Sequence, residues 1–319
     1  MSRGGRTHPR TGKIISFMLI RRLLFSLAVS AAFLQAQTKP LEFDIKWVNP
    51  PAKTPRGVTH HTLMAKAMGL EVGFNIYLPP AYESSTDRYP VIYWLHGAGS
   101  DENAGLPIAE MLDKAIQAMQ MQPVILVIPN GGKKSEYRDW EPQNVKPESF
   151  LIRDLIPHID ATYRTIKDRR GRWIEGMSMG ANGSLKTALK FPDLFSSVVA
   201  YAGSYRPLPK DGFLYPGIVP ESRRWIEQLA NWYTADHDPF ILAEKNRFRL
   251  DGMRIRLVVG TKDVAFQDSE ALHAHFEKIG VLHEYEVVLG VPHNTALYYE
   301  RVGVEGFRFH LPALQAGKP

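Results

Sequence analysis

One stretch constrains the fold of this chain more than any other: Arg172 to Gly183, Arg-Trp-Ile-Glu-Gly-Met-Ser-Met-Gly-Ala-Asn-Gly. It contains a G-x-S-x-G pentapeptide, Gly176-Met177-Ser178-Met179-Gly180. The apolar pair Trp173-Ile174 ahead of it suits the end of a buried strand. After it, Ala181, Leu185, Ala188 and Leu189 recur at helical spacing until Phe191-Pro192 stops the pattern. Strand, sharp turn, helix is the setting that presents a serine as a nucleophile. The glycines two residues either side of Ser178 fit that setting, because a Cβ there would collide with the adjoining strand and helix. The helix N-terminus behind the serine offers free N–H groups and a positive dipole end, both suited to developing negative charge.

A serine nucleophile needs a base within reach and a carboxylate that orients the base. Downstream of Ser178 the eligible histidines are His237, His273, His275, His283, His293 and His310. His293 follows Val287-Val288-Leu289-Gly290-Val291-Pro292, a strand running into a Gly/Pro loop, and precedes a last helix. That places it at the C-terminal edge of a sheet. His273 and His275 are two residues apart on an amphipathic helix, so they face different directions and do not read as a metal pair. For the carboxylate, Asp263 lies just beyond Leu257-Val258-Val259-Gly260, on the loop next to that of His293. Asp268 competes by proximity, but an N-cap role for a helix beginning near Ser269 accounts for it. Asp236 and Asp238 fall in an insertion.

Backbone N–H donors must meet the developing oxyanion. Met179, directly after the serine, supplies one. The loop His96-Gly97-Ala98-Gly99, after the apolar run Tyr89–Leu95, supplies the other, and Ala98 is the donor expected there. His96 reads as holding this loop. With Gly97 it is also placed at the substrate pocket, together with Trp225, Trp232 and Tyr233 of the insertion.

The remaining pattern predicts strands at 58–63 and 70–78 around a turn at 65–69, and at 89–95, 124–128, 197–201, 255–259 and 285–288. Helices are expected at 108–119, 150–163, 269–279 and 295–307. Strands alternating with helices imply an α/β protein with a doubly wound, mostly parallel sheet and helices on both faces. The interval 203–252 has no strand pattern and is rich in aromatics; 204–252 is read as a small cap insertion over the C-terminal strand ends. The expected organisation is a leader at 1–36, an extended proline-rich arm at 37–57 and one domain over 58–319.

Leu95-His96-Gly97-Ala98-Gly99, Gly176–Gly180, Asp263 and His293 together resemble the feruloyl esterase and esterase D-like branch of the α/β-hydrolase superfamily. The order serine, aspartate, histidine is also that of the superfamily. Asn75-Ile76-Tyr77-Leu78-Pro79-Pro80, Tyr89-Pro90-Val91 and Phe191-Pro192-Asp193-Leu194-Phe195 extend the resemblance from about Thr59 to Phe307. Ala181-Asn182 departs from it, since many members carry a further glycine directly after Gly180. The resemblance implies hydrolysis of a carboxylic ester through an acyl-serine intermediate, with no metal and no cofactor.

Charge decides between the remaining function classes. The formal net charge is +6. Residues 1–36 contain Arg3, Arg6, Arg10, Lys13, Arg21 and Arg22 and no acidic residue, so they account for all of it. The rest is neutral overall, and nucleic acid is not an expected partner. Arg21-Arg22, the apolar run from Leu23 to Leu34, and Ala36 read as an export signal too short for a stable membrane span. A periplasmic or secreted protein is expected, without disulfides because the chain has no cysteine. Export disfavours a cytosolic S-formylglutathione substrate and points to feruloyl or acetyl esters of polysaccharide. An acyltransferase of the mycolyltransferase kind, a siderophore esterase, and a carbohydrate- or partner-binding protein on the same scaffold are the alternatives.

Overall fold

The computed structural model describes Met1, residues 43–205 and residues 235–315. From Phe43 on, these residues belong to one compact unit. Its centre is an eight-stranded sheet in the order β1-β2-β4-β3-β5-β6-β7-β8. The strands are β1 Val58–Ala65, β2 Leu70–Tyr77, β3 Val91–Leu95, β4 Ile125–Pro129, β5 Arg172–Met177, β6 Ser197–Tyr201, β7 Arg254–Gly260 and β8 Glu284–Val288. The β1–β2 and β2–β4 pairs are antiparallel, and all other pairs are parallel. β3, β4, β5 and β6 are buried along their whole length, as strands covered on both faces must be.

Side-chain alternation sorts the core into two layers. Val91, Tyr93 and Leu95 of β3 join the cluster on one face. Ile92 and Trp94 join the cluster on the other. The first layer is closed by α2 Ile156–Thr162, α3 Met179–Lys190, α4 Pro239–Asn246 and α5 Phe266–Ile279; the second by α1 Leu106–Gln117, α6 Thr295–Val302, α7 Val304–Arg308 and α8 Leu311–Gln315. This is the expected α/β-hydrolase architecture. Strand order reverses between β3 and β5, so the crevice beyond their C-terminal ends is the place where this topology puts a ligand.

Two helices expected to be continuous are interrupted. Over 150–163 the chain forms a π-helical segment, Phe150–Leu155, before α2 begins. Pro157 explains the interruption: it lacks the N–H that an α-helix would donate to Arg153, and its ring crowds that carbonyl. The last helix, expected over 295–307, is broken at Gly303, where φ is +57°. Gly303 N–H caps α6 on the Tyr299 carbonyl at 2.8 Å, and α7 then starts in a new direction.

Residues 43–57, the described part of the expected arm, are held along the domain rather than free of it. The Trp47 carbonyl accepts from Gly73 N–H at 2.7 Å. Asn49 N–H donates to the buried Glu102 carboxylate at 2.6 Å. Arg56 grips Asp113 side-on through Nε and Nη2, the shortest contact being 2.9 Å. Residues 2–36 of the leader lie outside the described residues, as do Trp225, Trp232 and Tyr233 of the insertion. The described end of the insertion contains α4, capped by Asp238 on Phe240 N–H and packed on α3 and α5.

Candidate active site

The turn between β5 and α3 shows why the pentapeptide is written as it is. A Cβ on Gly180 would stand 1.9 Å from the Leu95 carbonyl oxygen, and one on Gly176 would stand 2.4 Å from that of Gly180. No side chain fits either place. Between them Ser178 takes φ +60° and ψ −118°, a strained conformation for a residue with a side chain. Ser178 N–H donates to the Tyr201 carbonyl at 2.9 Å and its own carbonyl accepts from Asn182 N–H at 3.0 Å, so the strain is held from both sides. The hydroxyl is left half-buried at the C-terminal edge of the sheet, beside the β3/β5 reversal.

Ser178, His293 and Asp263 come together there. His293 Nε2 lies 2.9 Å from Ser178 Oγ. Its Nδ1 lies 2.9 and 3.0 Å from the two carboxylate oxygens of Asp263. Asp263 also accepts from Ala265 N–H at 2.7 Å and from the Tyr298 hydroxyl at 2.7 Å. Burial works to raise the Asp263 pKa, but the hydrogen bonds from His293, Ala265 and Tyr298 outweigh it and hold the carboxyl below its ordinary range. An ionised carboxylate can only accept, so Nδ1 of His293 carries the proton and Nε2 is free to accept one from the serine.

The other histidines are engaged elsewhere. His273 and His283 face each other at 2.8 Å, while His275 turns toward Glu244 at 3.4 Å, so residues 273 and 275 do diverge. His310 is buried, bonded to Ser197 Oγ at 2.8 Å and stacked on Trp173. His237 is driven down to about 2, first by burial and then by Lys186, Lys190 and Arg138. Asp268 does not cap a helix at Ser269. α5 begins earlier, at Phe266, and Asp268 instead accepts from Ser204 Oγ at 2.8 Å. Among the described residues no group of three or more His, Asp or Glu is arranged to hold a metal ion.

Gly97 sits beside the serine: a Cβ on it would lie 3.5 Å from Ser178 Cβ. Ala98, the next residue, is exposed. Met179 heads α3, so its N–H has no carbonyl inside the helix to bind. His96 is not a pocket-lining residue, contrary to one expectation. It is fully buried, with Nδ1 2.9 Å from the Gly97 carbonyl and Nε2 accepting from Gly131 N–H at 3.0 Å. Burial lowers it to about 4, partly opposed by the Gly97 carbonyl and Asp101, which keeps it neutral. Its neighbour Tyr137 donates to the His96 carbonyl at 3.2 Å and ties the next loop to the same place.

Sequence reasoning missed the second layer. Tyr299 of α6 accepts from Trp94 Nε1 at 2.7 Å and donates to Glu175 at 2.8 Å. Tyr298, one residue earlier, serves Asp263. The signal was the tyrosine pair one turn after His293, whose two rings must point to different buried acceptors.

Fold, reversal point and the linked serine, histidine and aspartate define an α/β-hydrolase. The family model described as "Putative esterase" matches residues 65–318, and the chain belongs to that family. Among curated relatives, the esterase Rv1288 of Mycobacterium tuberculosis is 32% identical over 168 residues, which cover 50% of this chain and 35% of that protein. An endo-1,4-beta-xylanase/feruloyl esterase of Xylanibacter ruminicola is 29% identical over 46% of this chain and 22% of its own. The chain thus spans about a third of the length of the first of these relatives and less of the second. Among solved structures, a ferulic acid esterase superposes with a TM-score of 0.68 at 21% identity, over 80% of this chain and 98% of that one. An S-formylglutathione hydrolase from Staphylococcus aureus superposes with a TM-score of 0.65 at 17% identity, over 79% and 98%. These two likenesses are of fold.

Proposed function

We propose that this chain is an exported serine carboxylic-ester hydrolase that works through an acyl-serine intermediate, with feruloyl or acetyl esters of polysaccharide as its substrates. One observation carries the reading: the continuous chain from Ser178 Oγ through His293 to Asp263, each link at 2.9 Å. His293 Nε2 takes the hydroxyl proton as Ser178 Oγ attacks the ester carbonyl. The N–H groups of Met179 and Ala98 receive the negative charge that develops on the carbonyl oxygen. As the tetrahedral intermediate collapses, the C–O bond to the alcohol breaks and His293 returns the proton to the departing oxygen. Water then enters, gives its proton to His293 and attacks the acyl carbon. Collapse of this second intermediate breaks the bond to Ser178 Oγ, which recovers the proton, and the acid leaves. Asp263 fixes the tautomer of His293 throughout and stabilises its charged form.

The substrate class is supported by the activities for which relatives are named, among them the endo-1,4-beta-xylanase/feruloyl esterase, and by the export signal read in residues 1–36. The test is hydrolysis of methyl ferulate and acetylated xylan beside p-nitrophenyl acetate, butyrate and octanoate, with Ser178→Ala as control. Serine-dependent release of ferulate or acetate supports the assignment. Turnover confined to the p-nitrophenyl esters contradicts the substrate class, and product transferred to an added sugar contradicts hydrolysis as the end reaction.

A further inference from the structure

The helix that begins just after His293 also reaches the residue that orients it. Asn294 caps α6, its side-chain oxygen accepting from Leu297 N–H at 3.1 Å, so His293 is fixed against the first turn. One turn on, the Tyr298 ring is completely buried. Its oxygen accepts from Gly260 N–H at 2.6 Å and stands 2.7 Å from Asp263 Oδ2. A phenol has one proton. With Gly260 occupying a lone pair and an acceptor-only carboxylate opposite, that proton is directed to Asp263.

We infer that Tyr298 is a positioning residue for the reaction, locking the Asp263 carboxylate so that it presents to His293 Nδ1 in one orientation and with part of its charge already shared. The inference rests on the triad reading above. Asp263 Oδ1 is held by Ala265 N–H and Oδ2 by Tyr298, so the plane of the carboxylate is fixed at both ends before His293 meets it. The titratable groups acting on Asp263 are His293 and Tyr298, and those acting on Tyr298 are Asp263 and Tyr285 of β8. Tyr299 provides the built-in control. It is equally buried, lies on the same helix and makes a similar bond, but to Glu175 rather than to Asp263.

The experiment compares Tyr298→Phe, Tyr299→Phe and Tyr298 replaced by 3-fluorotyrosine, with p-nitrophenyl acetate as substrate across pH. Losing a donor to a charged group lowers kcat in Tyr298→Phe by about tenfold and leaves KM within about twofold. With the carboxylate charge less shared, protonated His293 is favoured, and the acid limb of kcat/KM moves to higher pH. The fluorinated phenol is a stronger donor of nearly the same size, so it moves that limb to lower pH and keeps the fold even if the phenylalanine variant does not. Tyr299→Phe lowers thermal stability and leaves the limb where it was. The inference is overturned if neither change at 298 moves the acid limb, or if Tyr299→Phe moves it equally. Activity surviving in Ser178→Ala defeats the triad reading itself; a dead Ser178→Ala with an immobile limb defeats only the role of Tyr298.

Discussion

His96 Nδ1 stands 2.9 Å from the carbonyl of Gly97, the residue that follows it. A trans peptide is planar with its C=O and N–H on opposite sides. Holding the Gly97 carbonyl against the buried imidazole therefore turns the Ala98 N–H away from that ring, as the donor role proposed for Ala98 requires. A fully buried histidine thus fixes the peptide that carries one of the two proposed oxyanion donors.

His96→Gln removes a donor at the Nδ1 position and lets that peptide rotate. Its expected effect is a fall in kcat of about a hundredfold with KM little changed, the size seen when one oxyanion donor is lost. His96→Asn keeps an amide N–H close to the Nδ1 position and should retain more of the rate. Steady-state kinetics of the two variants checks this; equal rates in both would count against the peptide-orienting role.

The same residue makes stability depend on pH. Its folded pKa of about 4 lies below the ordinary histidine value of 6.5, so the unfolded chain binds a proton that the folded one refuses. The stabilisation is fully present above about 6.5, declines as pH falls toward 4, and amounts to about 3 kcal/mol across that window. Urea unfolding from pH 7 to pH 4 should show wild type losing stability more steeply than His96→Asn. Parallel curves would contradict it.

Gly180→Ala places a methyl group where only 1.9 Å separates it from the Leu95 carbonyl oxygen. The contact is backbone, so β3 or α3 must shift. A cost of about 3 kcal/mol or more is expected, comparable with severe overpacking. Gly99, whose added Cβ meets nothing within 4 Å but whose φ is +79°, gives the contrast. Gly99→Ala should cost about 1 kcal/mol from backbone strain alone. Thermal unfolding of both variants measures the difference.

Much of this fold was legible because burial on both faces leaves a strong pattern. The β3 sequence Val-Ile-Tyr-Trp-Leu and the β6 sequence Ser-Val-Val-Ala-Tyr read as strands without help from context. The glycines around Ser178 were legible for a steric reason, and Asp263 and His293 for their places just beyond successive strands. Tyr298 was not, because its role depends on how far α6 turns before its ring reaches Asp263, and periodicity reports only that the position is buried. His96 illustrates the same limit: the H-G-x-G loop indicated a holding role, but only three dimensions reveal Gly131 as its second partner. The π-helical start at Phe150 was hidden for a different reason, since its apolar residues satisfy an α-helical spacing almost as well.

The most direct test is the rate of p-nitrophenyl acetate hydrolysis by Ser178→Ala, with circular dichroism to show that the fold is kept. If Ser178 Oγ is the nucleophile, the rate falls by about ten-thousand-fold or more and labelling by a fluorophosphonate disappears with it. A folded Ser178→Ala protein that keeps most of the wild-type turnover would contradict the account at its centre.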